Sequence, residues 1–456
     1  GLKPWEILIS EAQERMSLAV DPDRIDELLE LAGKMDVEAT VLGAFTDSGM
    51  FHILYDGRTV AYLDMEFLHE GLPKMRLQAR WSPPALDEPD FSEPQDMGRA
   101  LKGMLARLNI CSKESVVRQY DHEVQGGSVI KPMVGIANDG PSDAAVVRPV
   151  LESFEGVIVA NGICPRYSDI DTYHMAACAV DEAIRNAIAV GGSLKRMAGI
   201  DNFCWCDPVE SEKTPDGKYK LAQLVRANQA LYDYTVAYGV PCISGKDSMK
   251  NDYIIGDTKI SIPPTLLFSV MGKIEDVRNT VTMDAKKAGD LVYILGETLN
   301  ELGGSEWFAM NGHIGKVVPK VDALKAKNLY EALSRAIEKG LVASCHDCSD
   351  GGLGVALAET AFSGGLGMDI DLSLVPSKGI ERNDELLFSE SQSRFVVTVH
   401  PEKQEDFLNR MDGHTLSCVG VVTEEGIFRV TGMNNRVIIE EKIEDLKKVW
   451  QEPLNF

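Results

Sequence analysis

The sequence predicts an α/β (α+β) protein of layered sheets and helices, built in part from a duplicated unit. Strand-like and helix-like runs alternate along the chain. Residues 6–22, EILISEAQERMSLAVDP, return as residues 385–401, ELLFSESQSRFVVTVHP. The repeat persists downstream, where Gly43 in VLGAFTDSGMF answers Gly420 in CVGVVTEEGIF, two residues off a constant offset. Self-similarity over such a separation is the mark of a duplicated domain. A long α/β stretch from about Lys286 precedes the second copy, whereas five residues precede the first. The chain is therefore expected to begin inside a domain.

Taken in order, residues 1–81 read as strand, helix, strand, strand. The strand ILISEAQERMSLAV leads to Pro22 and an amphipathic helix, DRIDELLELAGKM, which Asp21 or Asp23 caps and Gly33 closes. Two alternating segments follow, TVLGAFTD and GMFHILYDG. Residues 82–96, SPPALDEPDFSEPQD, are rich in proline and acid and mark a linker. Residues 97–285 form a second unit, with helices expected at 97–109, 173–190 and 219–238 and strands at GVIVANGI and TLLFSVMGKI. A third unit, 286–456, opens with GDLVYILGE, carries helices near 322–339 and 352–364, and ends in the repeated segment.

A length of 456 residues, 44 % of them apolar and 25 % charged, suits two or three packed domains. A net charge of −24 without a basic cluster argues against a nucleic-acid surface. No apolar run is long enough to span a bilayer, and no signal segment opens the chain. Nine cysteines without framework spacing fit a reducing cytoplasm. The pairs Cys204/Cys206 and Cys345/Cys348 lack a zinc-knuckle context, so they read as buried thiols, and His346 as structural.

Candidate chemistry centres on helix 173–192. Val180, Ala183, Ile184, Ala187 and Ile188 form its packed stripe, and Gly191-Gly192 end it. Glu182 and Asn186, four residues apart, share another face. The alternatives are a solvated polar face or a site shared with Asp143, after a Gly-Pro turn, and Asp347, at a strand end. Three carboxylates and an amide oxygen are hard ligands suited to Mg²⁺ on nucleotide phosphates. Ser349 and the amides of Gly351 and Gly352 are expected to face a phosphate at the following helix N-terminus. Gly245-Lys246-Asp247-Ser248 reads as a strand-to-loop turn and lacks the phosphate-loop pattern GxxxxGK[ST].

Six segments occur together and in order: DHEVQGGSVIKPMVG (121–135), DGPSDAAV (139–146), SGKDSM (244–249), ELGGSEW (301–307), HDCSDGGL (346–353) and LLFSESQSRFVV (386–397). They resemble the second, duplicated half of the large type of phosphoribosylformylglycinamidine synthase, the amidotransferase of purine biosynthesis. The resemblance implies the aminoimidazole-ribonucleotide-synthetase-like ATP-binding fold. Residues 97–285 are then the second barrel-forming subdomain and 286–456 the second α/β subdomain, preceded by a partial copy at 1–81. It implies a ligase that converts formylglycinamide ribonucleotide, ATP and glutamine-derived ammonia to the amidine, ADP and phosphate. Mg²⁺ would be held by Asp143, Glu182, Asn186 and Asp347, with Ser142 and Ser349 on an auxiliary nucleotide. Asp201, Gly245 and Lys246 would reach nucleotide, and Ser248 substrate.

In the first copy the substrate-touching Glu-Ser-Gln corresponds to Glu11, Ala12 and Gln13, with alanine replacing serine. The family's catalytic histidine segment and glutaminase domain are expected outside these residues. No catalytic residue is assigned here, and the chain alone is expected not to turn over. Other readings are a single-copy enzyme of the same fold (hydrogenase maturation, thiamine-phosphate kinase, selenophosphate synthetase) and a non-catalytic, nucleotide-stabilised scaffold.

Overall fold

The computed structural model describes residues 1–456, the side chain of Val124 excepted. The chain divides into two compact units, Gly1–Leu77 and Gln78–Phe456.

The first unit holds helices α1 (Pro4–Leu8) and α2 (Ile25–Lys34), strands β1 (Met50–Tyr55) and β2 (Arg58–Asp64), and helix α3 (Met65–Glu70). Helix α2 forms where its amphipathic spacing places it. Asp21 accepts the Asp23 N–H at 3.0 Å in the 3-10 turn that leads in. The strand expected over ILISEAQERMSLAV does not form; its start is helix α1 and the rest is turn and irregular chain. TVLGAFTD forms no strand either. Instead β1 pairs antiparallel with β2, RTVAYLD, around Asp56-Gly57. Both of those residues have positive φ, 51° and 72°, as a tight hairpin turn requires. None of residues 1–77 is buried.

The second unit runs α4 (Met97–Leu105), α5 (Glu114–Val117), β3 (Ser128–Ile130), β4 (Ala145–Val147), β5 (Gly156–Ile163), α6 (Thr172–Ala189), β6 (Met197–Cys204), α7 (Gly217–Tyr238), β7 (Cys242–Ser248), β8 (Asp252–Ile255), β9 (Thr258–Ser261) and β10 (Thr265–Ile274). It continues with β11 (Leu291–Leu295), β12 (Thr298–Leu299), α8 (Glu306–Met310), α9 (Ala323–Glu338), β13 (Ser344–Asp347), α10 (Gly352–Gly364), β14 (Gly367–Asp371), β15 (Ser377–Lys378), α11 (Asn383–Phe388), β16 (Phe395–Val399), α12 (Gln404–Arg410), β17 (Leu416–Thr423), β18 (Ile427–Thr431), β19 (Val437–Lys442) and α13 (Ile443–Gln451). The expected helices appear within a few residues of their predicted ends. The first stops earliest, at Leu105 rather than 109.

Two sheets organise this unit. The first, in the order β3-β4-β5-β10-β6-β7, is covered on one face by α6 and α7. That face carries Ile158, Ala160, Phe203, Phe268 and Val270, all buried. The opposite face leaves Val159, Ile163, Ile200 and Met271 exposed. The second sheet, β13-β16-β11-β17-β14-β18-β19, is buried on both faces at β13, β16 and β11, and alternates buried with half-buried or exposed residues towards β19. Tyr293, Phe395 and Val397 point to the core shared with α6, α7 and α9. Val292, Val396 and Val419 point to the core formed with α4, α10, α11 and α13. The proline-rich stretch before α4 is packed rather than free: Leu86 and Phe91 lie on these cores, and Glu93 accepts the Asn383 N–H at 3.0 Å. Among the described residues no helix is long and apolar enough to cross a membrane.

Candidate nucleotide and metal site

The site lies where α6, β13 and the loop before β4 meet. Helix α6 is seated on β5 because Gly162 has no side chain; a Cβ there would strike the Ala179 carbonyl oxygen and the Ala183 amide. That close approach sets Glu182 over the strand, where its Oε2 accepts the Ile163 N–H at 2.8 Å. Asn186, one turn on, donates to the Asn161 carbonyl at 3.1 Å. Alternation along β13 sends successive side chains to opposite faces. His346 therefore meets α10, and Asp347 meets α6.

Asp143 and Asp347 converge with His346, and Glu182 lies close enough for its charge to act on Asp347. Asp143 Oδ1 accepts from His346 Nδ1 at 2.6 Å and from the Asp347 N–H at 3.2 Å. Glu182 accepts the Ser349 hydroxyl. Asp347 Oδ2 is held by Arg185 at 3.1–3.2 Å, and Arg185 also reaches Asp181 at 2.6 Å and Gln392 at 3.0 Å. The fully buried Asp181 in turn accepts hydroxyls from Tyr238, Tyr330 and Ser393.

Burial pushes the Asp347 carboxyl up to about 7, with the Asp143 and Glu182 charges adding and Arg185 opposing. Burial disfavours charge on His346, but the carboxylates of Asp143 and Glu359 outweigh it and raise its pKa well above the ordinary histidine value. Asp350 is raised well above the carboxylate range by burial and by Glu390, Glu182 and Glu306. Burial and neighbouring carboxylates thus make Asp347 and Asp350 hold their protons more tightly than free carboxyls.

Asp143 Oδ2 is buried with no hydrogen-bond partner. Such an atom costs stability unless a ligand completes it. An oxygen donor set with one orphaned carboxylate oxygen fits a hard divalent cation such as Mg²⁺. Asp143, His346 and Asp347 each offer an atom within 4.8 Å of the others. Among the described residues no other group of His, Cys, Asp and Glu does so, and all nine cysteines are free.

The helix N-terminus departs from expectation. The Gly351 N–H donates to Glu390 Oε1 at 2.9 Å, and the Gly352 N–H to the Ser349 carbonyl at 2.9 Å. A side-chain carboxylate occupies the place foreseen for phosphate. The Ser142 hydroxyl turns to the Ala144 carbonyl at 3.0 Å.

The segment read as a turn, Gly245 to Ser248, is instead the end of strand β7. Parallel pairing with β6 carries the ladder through it, setting Asp201 beside Gly245. A Cβ on Gly245 would lie 2.6 Å from Asp201 Oδ1. Burial, with Asp247 adding, raises the Asp201 pKa. Lys246 Nζ donates to Ser248 Oγ at 2.5 Å on the other face of the strand. Glu11, Ala12 and Gln13 lie on an exposed loop of the first unit, where Gln13 Nε2 donates to the Glu11 carbonyl at 3.1 Å.

The family described as AIR synthase related protein, C-terminal domain, matches residues 287–432. Curated relatives match along the whole chain. The phosphoribosylformylglycinamidine synthase subunit PurL of Alkaliphilus metalliredigens is 34 % identical over 99 % of this chain and 58 % of its own length. That of Thermoplasma acidophilum is 30 % identical over 100 % of this chain and 57 % of its own length.

The chain is homologous to PurL along its whole length. It spans about 58 % of the length of the curated relatives it matches. Among solved structures, PurLQS from Thermotoga maritima superposes with a TM-score of 0.59 at 21 % identity, covering 79 % of this chain and 53 % of that one. T. maritima PurL complexed with FGAR gives 0.56 at 23 %, covering 76 % and 53 %. The fold is that of the AIR synthase related proteins.

Arg185, Asp181, Glu359 and Glu390 escaped sequence reasoning. The first two left a signal: a charged i, i+4 pair within AVDEAIRNAIA, on the side of the helix that packs. Glu390 left one as well, as the repeat counterpart of Glu11, whereas Glu359, 13 residues from its partner His346, left none.

Proposed function

We propose that this chain supplies the second nucleotide-binding half of a phosphoribosylformylglycinamidine synthase, acting on formylglycinamide ribonucleotide and ATP in the cytoplasm. The meeting of Asp143 and Asp347 beside a buried, unpaired carboxylate oxygen, with the Glu182 charge acting on Asp347, supports the reading. In it, Asp143, Glu182, Asn186 and Asp347 hold Mg²⁺, which offsets charge on nucleotide phosphates. Ser142 and Ser349 reach the nucleotide once their present partners release them. The pair β6–β7 offers Asp201, Gly245 and Lys246 to nucleotide and Ser248 to substrate, and Glu11, Ala12 and Gln13 belong to the substrate face of the first copy. Residues 97–285 then form the barrel-forming subdomain and 286–456 the α/β subdomain.

The catalytic histidine and the ammonia source are assigned to a first half and a glutaminase beyond these residues. Support comes from the first unit, whose strand-like segments 16–20 and 40–47 have no strand beside them. Their counterparts in the second unit do. Mixed with formylglycinamide ribonucleotide, ATP, Mg²⁺ and ammonium, the chain alone is expected to release no ADP. Robust release would overturn the division of labour.

The nucleotide is read as structural, because the ligating carboxylates are already fixed by buried partners. Mass spectrometry of the supernatant from denatured protein should find stoichiometric ADP or ATP. A supernatant free of nucleotide, together with a melting temperature indifferent to Mg²⁺ and ADP, would sink the site.

A further inference from the structure

We propose that His346, braced by Glu359, is a positioning residue that fixes the Asp143 carboxylate for a divalent cation. The inference rests on the reading of Asp143, Glu182, Asn186 and Asp347 as the cation's ligands. Histidine is a common metal ligand, so the geometry has to decide between ligand and brace. Both ring nitrogens of His346 are taken: Nδ1 lies 2.6 Å from Asp143 Oδ1 and Nε2 lies 3.0 Å from Glu359 Oε2. A nitrogen that donates to a carboxylate has no lone pair for a metal. His346 is therefore a brace, and the site remains an all-oxygen one.

The brace is needed because of where Asp143 sits. Glu182 and Asn186 ride on α6, locked against β5 at Gly162, and Asp347 ends a paired strand and is gripped by Arg185. Asp143 lies in the irregular chain between β3 and β4. Its Oδ1 takes both available donors, His346 Nδ1 and the Asp347 N–H, which leaves Oδ2 buried and unpartnered. Glu359 is a rigid anchor, because every residue of α10 is buried. The chain of contacts runs from a helix through an imidazole to the one ligand that secondary structure does not hold, the usual work of partners behind metal ligands.

Mn²⁺ alone, titrated against the full chain and read by the electron paramagnetic resonance of the free ion, tests this without nucleotide or turnover. His346→Ala should raise the Mn²⁺ dissociation constant roughly 10- to 100-fold. His346→Gln, whose amide donates to Asp143, should recover part of that loss, and Glu359→Gln should show a smaller one. In an Asp143→Asn background His346→Ala should add little, since both changes disable one ligand. Wild-type Mn²⁺ affinity in a folded His346→Ala protein, or full additivity with Asp143→Asn, overturns the proposal. Should His346→Ala not fold, His346→Gln and Glu359→Gln decide it, and wild-type affinity in both is the overturning result. Calorimetric titration with Mg²⁺ and ADP separates the two levels. The expected Mn²⁺ pattern without ADP binding removes the nucleotide reading and leaves the brace standing, whereas a wild-type chain that binds no Mn²⁺ removes both.

Discussion

Residues 10–16 and 389–395 are two renderings of one sentence, SEAQERM and SESQSRF, and their local structures agree to a fine degree. Each loop has a non-glycine residue in the left-handed region at the same place, Glu14 at φ 61° and Ser393 at φ 60°. Each is wrapped by the arginine that follows. Arg15 donates to the carbonyls of Ser10 and Ala12, and Arg394 to those of Ser389 and Ser391. A short helix precedes both, α1 and α11. Beyond the loops the copies part. Phe395–Val399 is a buried strand between β11 and β13, while its counterpart, residues 16–20, forms no strand. Met16 is 89 % exposed and Phe395 fully buried. Phe45 is 92 % exposed, and its counterpart Val422 is buried at 1 %. The loop is specified within its own few residues, whereas a strand exists only with neighbours to share its hydrogen bonds.

The sharpest way to break this comparison is to remove the arginine from each copy. Arg394→Ala deletes donors to three buried acceptors, one of them Thr298 at 2.8 Å, and should cost about 3–5 kcal/mol in denaturant midpoints. Arg15→Ala, on the exposed loop, should stay within about 0.5 kcal/mol. Equal losses would mean that burial is not what separates the copies.

The second test uses the glutamates. Burial pushes the Glu390 carboxyl up to about 7 against the opposing donors Gly351 N–H, Glu306 N–H and the Tyr167 hydroxyl. A carboxyl with a raised folded-state pKa favours folding when protonated. Its contribution is complete below about pH 4 and is lost as pH rises through about 7, a change on the order of a few kcal/mol. Stability measured from pH 4 to 8 should fall less steeply in Glu390→Gln than in the wild type. An unchanged slope would show that this carboxyl is not the source.

Ligand binding gives a third contrast. Mg²⁺ with ADP at about 100 times its dissociation constant should stabilise the second unit by about 2.7 kcal/mol, and Asp143→Asn should abolish the gain. Stabilisation retained in that variant would move the site elsewhere. The smallest expected effect lies in the first unit's hairpin. Gly57 sits at φ 72°, and Gly57→Ala should cost about 1 kcal/mol there, seen as faster amide exchange in β1 and β2. The corresponding β18–β19 connection is longer and turns at Asn435, φ 58°, so its exchange should not change.

Much of the second unit was legible because its helices carry strong periodicity. Val180 to Ile188 announced α6, and the structure keeps that stripe in the core. The acidic site was legible in part: residue type nominated Asp143, Glu182, Asn186 and Asp347, and of these the structure groups Asp143 and Asp347, together with His346. Gly245 to Ser248 misled because glycine, aspartate and serine favour turns locally, while the parallel ladder with β6 overrode that preference. The expectation for residues 7–20 and 40–47 failed for the opposite reason, since the apolar pattern of a strand was present and a partner was not.

The sequence by itself determined the duplication, the helices, the loop at each repeat and the kinds of ligand atom available. Those depend on interactions among residues a few positions apart, which composition and spacing record. Only the tertiary structure decided which repeat becomes a strand, which carboxylates meet, and that His346 stands between Asp143 and Glu359. Those outcomes join groups up to 204 residues apart, and their energies come from burial and pairing that exist only once distant segments are brought together.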